Sequence, residues 1–432
     1  MMPSLKKKLI DDYYLECGFN KSEIKKIDEL SHEYSLIESL FNNNELLERK
    51  GELLNEHNEI MNKVKKRVLK NKIWYNWYGD NMRYRDTYVE INTNNIEYNI
   101  KSIINTYNEY DYYFGVVKAD CYGHNDAIKS IISGGCNYLT VAILEEALKI
   151  REEYKEIPIL CLGIIPKEYL NIAYNNNITI TVNSLEYAKE VVDSKLDLKV
   201  HIKLNTGMNR LGIKNKQEFI DTFNLLDSNN INIEGIYTHI YNSSNKTDTL
   251  NQLSKYDQFI NSIDKSKVKI FHTSASEALI NYDKLPYING CRLGLIMYGF
   301  TENKNLKLKS TFKLVSKIIQ INKVSKNETV GYNGAYKTDK DTLIGVVQIG
   351  YADGIIRKNT GRFVYINNKP YKIVGNICMD MLFVEIDDTV KIGDEVVILK
   401  DNKHIEEVSD YLDTIPYEVL CSISKRVPRV YE

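Results

Sequence analysis

Residues 113–124 of the chain read YFGVVKADCYGH, an apolar run that ends abruptly at a lysine. The run predicts a buried strand, and Lys118 stands at the carboxyl end of that strand. Barrels and doubly wound sheets of the α/β class place their chemistry at such strand ends. An apolar wall disfavours the charged form of an amine and makes it a better nucleophile toward a carbonyl, which Schiff-base chemistry requires. The alternative interpretation is a lysine that extends its ammonium into solvent.

Short strands alternate with helices on both sides of this stretch, from residue 85 to about residue 311. Besides the lysine strand, the strand candidates lie at 88–91, 138–142, 159–162, 178–182, 199–204, 233–238, 269–273 and 291–298. Eight or so strands that alternate with helices over about 220 residues predict a (β/α)8 barrel of the TIM type.

Beyond residue 311 the helical patterns largely stop. Strand candidates follow at 313–324, 342–349, 362–366, 371–374, 381–386 and 395–399, with turns such as Asn367-Asn368 between them. The pattern predicts a C-terminal all-β domain. We therefore expect the barrel at residues 83–312 and the β-rich domain at residues 313–432.

Residues 1–82 differ from the rest of the chain. Apolar residues recur at helical spacing from Ile24 to Leu40, and a second segment at about 44–72 repeats apolar residues every seven positions. This pattern predicts a helical hairpin or a short coiled coil that serves packing or dimerisation. The pattern does not indicate a function for this N-terminal helical extension.

The composition excludes several classes of protein. The 57 basic and 58 acidic residues give a net charge of −1, which does not support binding to nucleic acid or to a membrane surface. The seven cysteines form no CxxC pair, so we expect no metal site and a reduced, cytoplasmic compartment. No signal peptide and no membrane-spanning run is predicted.

The stretch around Lys118 resembles the pyridoxal-phosphate lysine motif of bacterial alanine racemases. Eight further matches occur in the order of that family: KLNTGMNRLG at 203–212, TH at 238–239, HTSAS at 272–276, RLGLIMYG at 292–299, GYNGA at 331–335, IGYADG at 349–354, GNICMD at 375–380 and IPYEVL at 415–420. The resemblance extends from residue 85 to residue 429 and leaves out the N-terminal extension. It implies a homodimeric isomerase that interconverts L-alanine and D-alanine and supplies D-alanine for the peptidoglycan of the cell wall.

Racemisation removes the α-proton of an amino acid and returns a proton on the opposite face, which requires two acid–base groups. An imine with pyridoxal phosphate makes that proton removable. The resemblance implies that Lys118 is one of the two groups. It implies that Tyr332, from the β domain of the second subunit, is the other. Because a free tyrosine titrates near pH 10, such a base needs a nearby cation.

The resemblance also implies how the cofactor is bound. Arg292 would face the pyridine nitrogen and, because arginine keeps its proton, leave that nitrogen unprotonated, which suppresses side reactions such as transamination. His239 would lie against the ring. The implied ligands of the phosphate are Tyr122, Ser276, the backbone of Gly294 and Leu295, and Tyr417.

Further residues match the family's substrate site. Arg210 and the backbone of Met379 would bind the substrate. Tyr351, Asp380 and Arg357 would form the narrow gate through which the substrate passes. Lys203 matches a position that is often carbamylated in the family, and an ordinary buried lysine paired with an acid is the alternative.

Some residues depart from the family pattern. Asp120 and Asn125 replace the usual residues near Lys118, Leu293 and Gln348 replace proline, and Ala275 replaces an asparagine whose loss is expected to loosen the phosphate site.

Four alternatives remain at this point. The nearest is a serine or broad-specificity racemase, which the bulk of Tyr417 disfavours. A barrel-type decarboxylase would carry a glycine-rich phosphate run, which is missing here. A cofactor-binding regulatory protein without turnover would lack the β domain and Tyr332. A degenerate racemase whose working part is the extension is the last.

Overall fold

The computed structural model describes residues 85–432 and, of the residues before them, Lys25 alone. The predicted helices of the N-terminal extension therefore lie outside the described residues. Strand β1 (Tyr88–Ile91) and helix α1 (Thr93–Thr106) open the described chain. The Asn92 side chain caps α1 by accepting a hydrogen bond from the Asn95 N–H, which explains where this helix begins.

Eight parallel strands form a closed barrel, which confirms the predicted fold class. They are β2 (Tyr112–Val116), β3 (Tyr138–Val141), β4 (Ile159–Cys161), β5 (Ile178–Val182), β6 (Lys199–Lys203), β7 (Asn232–Tyr237), β8 (Ile270–Ala275) and β9 (Gly290–Leu293). Strands β3, β4 and β5 are buried at every residue, as expected of parallel strands covered on both faces.

Helices follow most of the barrel strands. They are α2 (Ile128–Ser133), α3 (Leu144–Glu153), α4 (Leu170–Asn175), α5 (Leu185–Asp193), α6 (Lys216–Ser228), α7 (Lys246–Ile260) and α8 (Ser276–Asn281). Successive residues along a barrel strand point into two different hydrophobic clusters. Phe114, Tyr138, Leu160 and Ile270 form a cluster of their own, whereas their neighbours along each strand belong to the main core. The separate cluster therefore fills the barrel interior, and the main core packs against the helices.

The C-terminal β domain is built on one long strand, β10 (Phe312–Val324). The other elements are β11 (Thr329–Val330), β12 (Tyr336–Lys337), β13 (Thr342–Val347), β14 (Phe363–Ile366), β15 (Lys369–Val374), β16 (Leu382–Ile386), β17 (Glu395–Leu399), α9 (Asn402–Leu412), α10 (Pro416–Ser422) and β18 (Arg429–Tyr431). The strand order is β13-β16-β15-β14-β17-β10-β1-β18, and β13 also pairs with β10. Six strands therefore close on themselves, and β1 and β18 extend the sheet beyond β10.

Strand β1 precedes the barrel in the chain but does not belong to it. It pairs with β10 in an antiparallel register and with β18 in a parallel register. The first and last strands of the described chain thus lie side by side in the β domain. Barrel and β domain belong to one unit, Asp86–Glu432. In the described part of the chain, no helix is both long and apolar enough to cross a membrane.

Candidate active site

A left-handed turn follows Lys118 at the carboxyl end of β2. Ala119, Asp120, Cys121 and Tyr122 have φ values of 53°, 48°, 54° and 55°. Gly123 continues the turn with a φ of 80°. Left-handed backbone costs an L-residue about 1–2 kcal/mol, so four such residues in a row persist only because their surroundings hold them.

His124 holds the turn from inside. Its Nδ1 lies 3.0 Å from the Cys121 carbonyl oxygen and 3.2 Å from that of Tyr122, and its Nε2 lies 2.9 Å from Thr311 Oγ1. Burial lowers the pKa of His124 to about 3, so its imidazole is neutral. Because carbonyls only accept hydrogen bonds, the single ring proton must sit on Nδ1.

Helix α3 holds the turn from one side. Glu146 Oε1 accepts the Ala119 N–H at 2.7 Å, and its Oε2 accepts the Ala142 N–H at 2.8 Å. Asp120 pairs with Lys149 at 3.3 Å and with Lys425 at 3.0 Å. Partial burial raises the pKa of Asp120, but hydrogen bonds from Lys425 and Lys149 outweigh this and lower it. Asp120 is therefore ionised, and its ion pairs connect the turn to Lys149 and Lys425 without disturbing it.

The C-terminal segment holds the turn from the other side. Arg429 Nε donates to the Gly123 carbonyl at 3.0 Å. Its two Nη atoms donate to the carbonyls of Ser424, Val427 and Ile423 at 2.7–2.8 Å. Residues at the very end of the chain thus fix the backbone that presents Lys118.

Lys118 itself lies where its amine is easily neutralised. Burial lowers the pKa of Lys118, and the neighbouring charge of Arg210 lowers it further, against smaller opposing effects of Cys421 and Glu146. None of the acidic side chains in residues 85–432 forms an ion pair with Lys118. The environment therefore favours the neutral, nucleophilic form of the amine.

Polar groups converge near Lys118 to form a small cradle. The Gly294 N–H donates to Ser276 Oγ at 3.1 Å. A Cβ at Gly294 would lie 3.3 Å from Tyr122 Oη and 3.4 Å from Ser276 Oγ, so the glycine keeps this space open. The Tyr417 ring lies 5.5 Å from that of Tyr122. Hydroxyls around a glycine without a side chain suit the oxygens of a phosphate.

Adjacent strands bring these groups together. Strand β9 pairs with β2 on one side and with β8 on the other. Ser276 and Gly294 follow directly after β8 and β9, and Lys118 follows β2 with Val117 between them. Leu295 begins the buried 3-10 turn Leu295–Tyr298 that comes next.

Arg292 is buried near the end of β9, and both of its Nη atoms have hydrogen-bond partners. Its Nη1 donates to His272 Nδ1 at 2.7 Å, and its Nη2 donates to the carbonyls of Thr238 at 2.8 Å and Thr273 at 2.9 Å. Burial lowers the pKa of Arg292 to about 10, so it remains a cation at neutral pH. Burial, followed by the charges of Arg292 and Lys203, lowers the pKa of His239 to about 2. His239 is therefore neutral.

Lys203 is a buried lysine in a cationic environment. Its Nζ lies 4.4 Å from the centre of the Tyr237 ring. Burial, Arg292 and Arg210 all lower the pKa of Lys203. Within residues 85–432 it forms no ion pair with a carboxylate, so the acid-paired alternative has no partner there.

The proposed gate residues lie on adjoining segments of the β domain. The Tyr351 N–H donates to the Cys378 carbonyl, and the Ala352 N–H donates to the Met379 carbonyl, both at 3.0 Å. Arg426 bridges Asp380 at 2.7 Å and the buried Asp353 at 3.2 Å. Arg357 lies exposed on a separate turn, Arg357–Asn359.

Tyr332 lies apart from the groups around Lys118. It sits between β11 and β12, after Gly331, whose φ is 77°. Asn376 Nδ2 donates to the Tyr332 carbonyl at 2.9 Å, which fixes the loop. The residue is 69% exposed, and its hydroxyl makes no hydrogen bond to any of the residues that the structure describes. Among the described residues of one chain, no hydrogen bond joins Tyr332 to Lys118.

Several residues of this site escaped the sequence reasoning. They are Glu146, Arg426 and Arg429. Only Glu146 carried a local signal, because it stands in the first turn of a helix, where a glutamate can accept free backbone N–H groups.

Two family models match the chain. The one described as "Alanine racemase, N-terminal domain" matches residues 91–302, and "Alanine racemase, C-terminal domain" matches residues 311–431. Alanine racemase 1 of Bacillus subtilis (strain 168) is 35% identical over 365 residues, which cover 81% of this chain and 93% of that protein. The alanine racemase of Clostridium tetani (strain Massachusetts / E88) is 36% identical over 371 residues, which cover 80% and 95%.

Solved structures agree with these relatives. The alanine racemase of Clostridium difficile 630 superposes with a TM-score of 0.76 and 34% identity, covering 81% of this chain and 97% of that chain. The alanine racemase of Bacillus anthracis with bound L-Ala-P gives a TM-score of 0.74 and 30% identity, covering 81% and 96%.

Proposed function

This chain belongs to the alanine racemase family of pyridoxal-phosphate-dependent isomerases, and we propose that Lys118 and Tyr332 are its two acid–base groups in interconverting L-alanine and D-alanine. The observation that carries the proposal is the arrangement at the ends of β8, β9 and β2. There a lysine with a lowered pKa, an open polar cradle and a buried arginine lie on neighbouring strands.

The residues present fit pyridoxal phosphate. Lys118 would hold the cofactor covalently, and the Gly294 cradle, with Tyr122, Ser276, Leu295 and Tyr417, would hold its phosphate. Arg292 and His239 would contact its ring. When bound, pyridoxal phosphate supplies an electron sink that makes the α-proton of an amino acid removable.

The proposed proton transfers follow from the positions of the two groups. The lowered pKa of Lys118 favours the neutral amine, the form that could take a proton on one face of the substrate. Tyr332 would serve the opposite face, beside Arg210. Met379, through its backbone N–H, and Arg210 would bind the substrate carboxylate.

Tyr332 would come from a second copy of the chain. Its exposed loop supports this assembly, and so do Tyr351, Met379 and Met381, which are 42%, 53% and 40% exposed on the same domain. In this proposal residues 83–312 bind the cofactor together with Tyr417 of the same chain. The β-rich domain, residues 313–432, also contributes to the site of the partner. Tyr351, Asp380 and Arg357 would then form the gate of a shared homodimer site.

Lys203 is proposed as a carbamylation site. Burial, Arg292 and Arg210 favour the neutral form of its amine, which is the form that adds carbon dioxide to give a carbamate and a released proton. The carbamate would place a negative charge beside these two cations.

We also propose alanine as the preferred substrate, since the bulk of Tyr417 beside the phosphate cradle leaves little room for a larger side chain. The product would serve peptidoglycan synthesis in the cytoplasm. The six cysteines within residues 85–432 are all free, which supports a reducing compartment.

A racemisation assay of the purified holoprotein tests the proposal, with L-alanine, L-serine and a panel of other L-amino acids. Turnover should be fastest with alanine. Absence of alanine turnover would overturn the proposed function, and faster turnover of serine would overturn the role of Tyr417.

A further inference from the structure

A line of hydrogen bonds runs from Arg292 through the interior of the barrel. Arg292 Nη1 lies 2.7 Å from His272 Nδ1, His272 Nε2 lies 2.9 Å from His201 Nδ1, and His201 Nε2 lies 3.4 Å from Glu234 Oε2. Tyr138 Oη donates to the same carboxylate oxygen at 2.7 Å. Tyr138 opens β3, whereas Arg292 lies near the end of β9. The line therefore joins the two ends of the barrel.

Arg292 at one end of this line and Glu234 at the other determine which ring nitrogens of the two histidines carry protons. A guanidinium only donates, so His272 Nδ1 must accept and the proton of His272 must sit on Nε2. His272 then donates to His201 Nδ1, which leaves the proton of His201 on Nε2. That proton points to Glu234, which accepts when ionised. Both histidines are therefore neutral, with the proton on Nε2.

The electrostatics of the three groups agree with this assignment. Burial lowers the pKa values of His272 and His201, and Arg292 lowers both further, although Glu234 opposes the shift at His201. Burial opposes the ionisation of Glu234, but hydrogen bonds from His201 and Tyr138 outweigh it and lower the pKa of its carboxyl. Glu234 is thus a carboxylate at neutral pH.

The barrel is shaped around the two imidazoles. Both are fully buried. The His272 ring is stacked between those of Phe114 and Tyr237, with centroid distances of 4.6 Å and 4.7 Å. A Cβ at Gly235 would lie 2.6 Å from His201 Nδ1, so only a glycine there leaves room for the ring. Neither ring can turn over without displacing its neighbours.

We propose that His201 and Glu234 are positioning residues that hold Arg292 in place through His272. None of the carboxylates in residues 85–432 pairs directly with Arg292, and Glu234 is the acid that its hydrogen bonds reach. The carboxylate fixes His201, His201 fixes His272, and His272 presents Arg292 with an acceptor and never with a proton. This inference rests on the proposed role of Arg292 beside the cofactor ring.

The proton positions can be measured without any catalysis. Nitrogen-15 NMR of the full-length apoprotein, labelled at histidine, distinguishes ring nitrogens that carry a proton from those that do not. Signals of His201 and His272 are assigned by their loss in His201→Gln and His272→Gln. We expect both to be neutral with the proton on Nε2, whereas His124, the internal control, carries its proton on Nδ1. A proton on Nδ1 of His201 or His272 at neutral pH would overturn the proposal.

Substitutions at the far end of the line test its effect on the cofactor. Glu234→Leu removes the acceptor and should weaken the affinity of the apoprotein for pyridoxal phosphate by about three- to tenfold, the scale of one hydrogen bond. It should also shift the visible absorbance of the bound cofactor. Glu234→Gln keeps an acceptor oxygen and should stay within about twofold of the wild type.

Thr179→Val is the matched control. Thr179 Oγ1 lies 2.8 Å from Tyr138 Oη and 3.4 Å from Glu234 Oε2 but is not part of the line, so this variant should keep wild-type affinity and absorbance. A folded Glu234→Leu with unchanged affinity and absorbance would overturn the proposal. A Thr179→Val variant with the weaker affinity and shifted absorbance expected of Glu234→Leu would also overturn the proposal. If Glu234→Leu does not fold, the proton positions of His201 and His272 measured by NMR decide whether the proposal holds. A chain that shows them as expected but does not racemise alanine would contradict the proposed function alone.

Discussion

Lys118 and Tyr332, the two proposed acid–base groups, lie in opposite surroundings. Lys118 directly precedes a left-handed turn that Glu146, His124 and Arg429 hold by hydrogen bonds. Tyr332 stands 69% exposed on a hairpin loop, with only its backbone held by Asn376. The chain thus builds one half of a site inside itself and presents the other half outward. Such a division makes sense if two copies complete each other.

Removing the buried half should have the largest effect. Lys118→Ala should lower racemisation of alanine by at least about 10³-fold, because it removes both a base and the proposed cofactor link. Borohydride reduction followed by mass spectrometry should find pyridoxal phosphate on Lys118 in the wild type and on no lysine in the variant. Lys149→Ala, at the exposed partner of Asp120, is the control and should keep activity. Cofactor trapped on a different lysine would show that the site is misassigned.

Removing the exposed half should affect catalysis alone. Tyr332→Phe should lower the racemisation rate by about 10²–10⁴-fold, the usual contribution of one acid–base group. Cofactor content and thermal stability should match the wild type, because the hydroxyl makes no hydrogen bond within the described chain. Tyr351→Phe provides a comparison at the proposed gate. A Tyr332→Phe protein with wild-type turnover would remove this residue from the mechanism.

Altering the cradle around Gly294 should have an intermediate effect, on the affinity for the cofactor. Gly294→Ala would place a methyl group 3.3–3.4 Å from the hydroxyls of Tyr122 and Ser276, where the proposed phosphate belongs. We expect the affinity for pyridoxal phosphate to fall by about tenfold or more, one lost polar contact being worth about a factor of ten. Titration of the apoprotein by absorbance measures this. Unchanged affinity would place the phosphate elsewhere.

The clamp on the left-handed turn should give a smaller effect, on stability. Arg429→Ala leaves carbonyls of the turn and the C-terminal segment without their donor, and should lower the free energy of unfolding by about 1–3 kcal/mol. Denaturant unfolding of the holoprotein measures the loss. Lys425→Ala removes only an exposed ion pair with Asp120 and should cost less than about 1 kcal/mol. Equal losses in the two variants would show that Arg429 has no special role.

The contrast between the two halves also explains how far sequence reasoning reaches. Apolar, β-branched runs predicted the barrel strands, because burial on both faces imposes that composition. The same local pattern in β1 could not show that this strand joins β10 and β18, since pairing partners are set by the whole fold. The sequence of a short strand does not show which sheet the strand joins.

The candidate site divides in the same way. Lys118, Arg292 and Tyr332 stand in motifs that family resemblance could identify. The left-handed conformation of Ala119 to Tyr122 could not be predicted, because it contradicts local preference and depends on contacts made by Arg429, hundreds of residues away. The approach of His201 to Glu234 likewise exists only after β6 and β7 pair in the closed barrel.

The measurement that tests the central claim most directly mixes the two inactive variants. Lys118→Ala and Tyr332→Phe homodimers each lack one proposed group at every site. After dissociation and random re-pairing, about half of the dimers are mixed, and each has one site with both groups intact. If the sites are shared between subunits, the mixture recovers about a quarter of wild-type activity. If each chain uses its own Tyr332, no activity returns once subunit exchange has been verified, and that result would contradict the account.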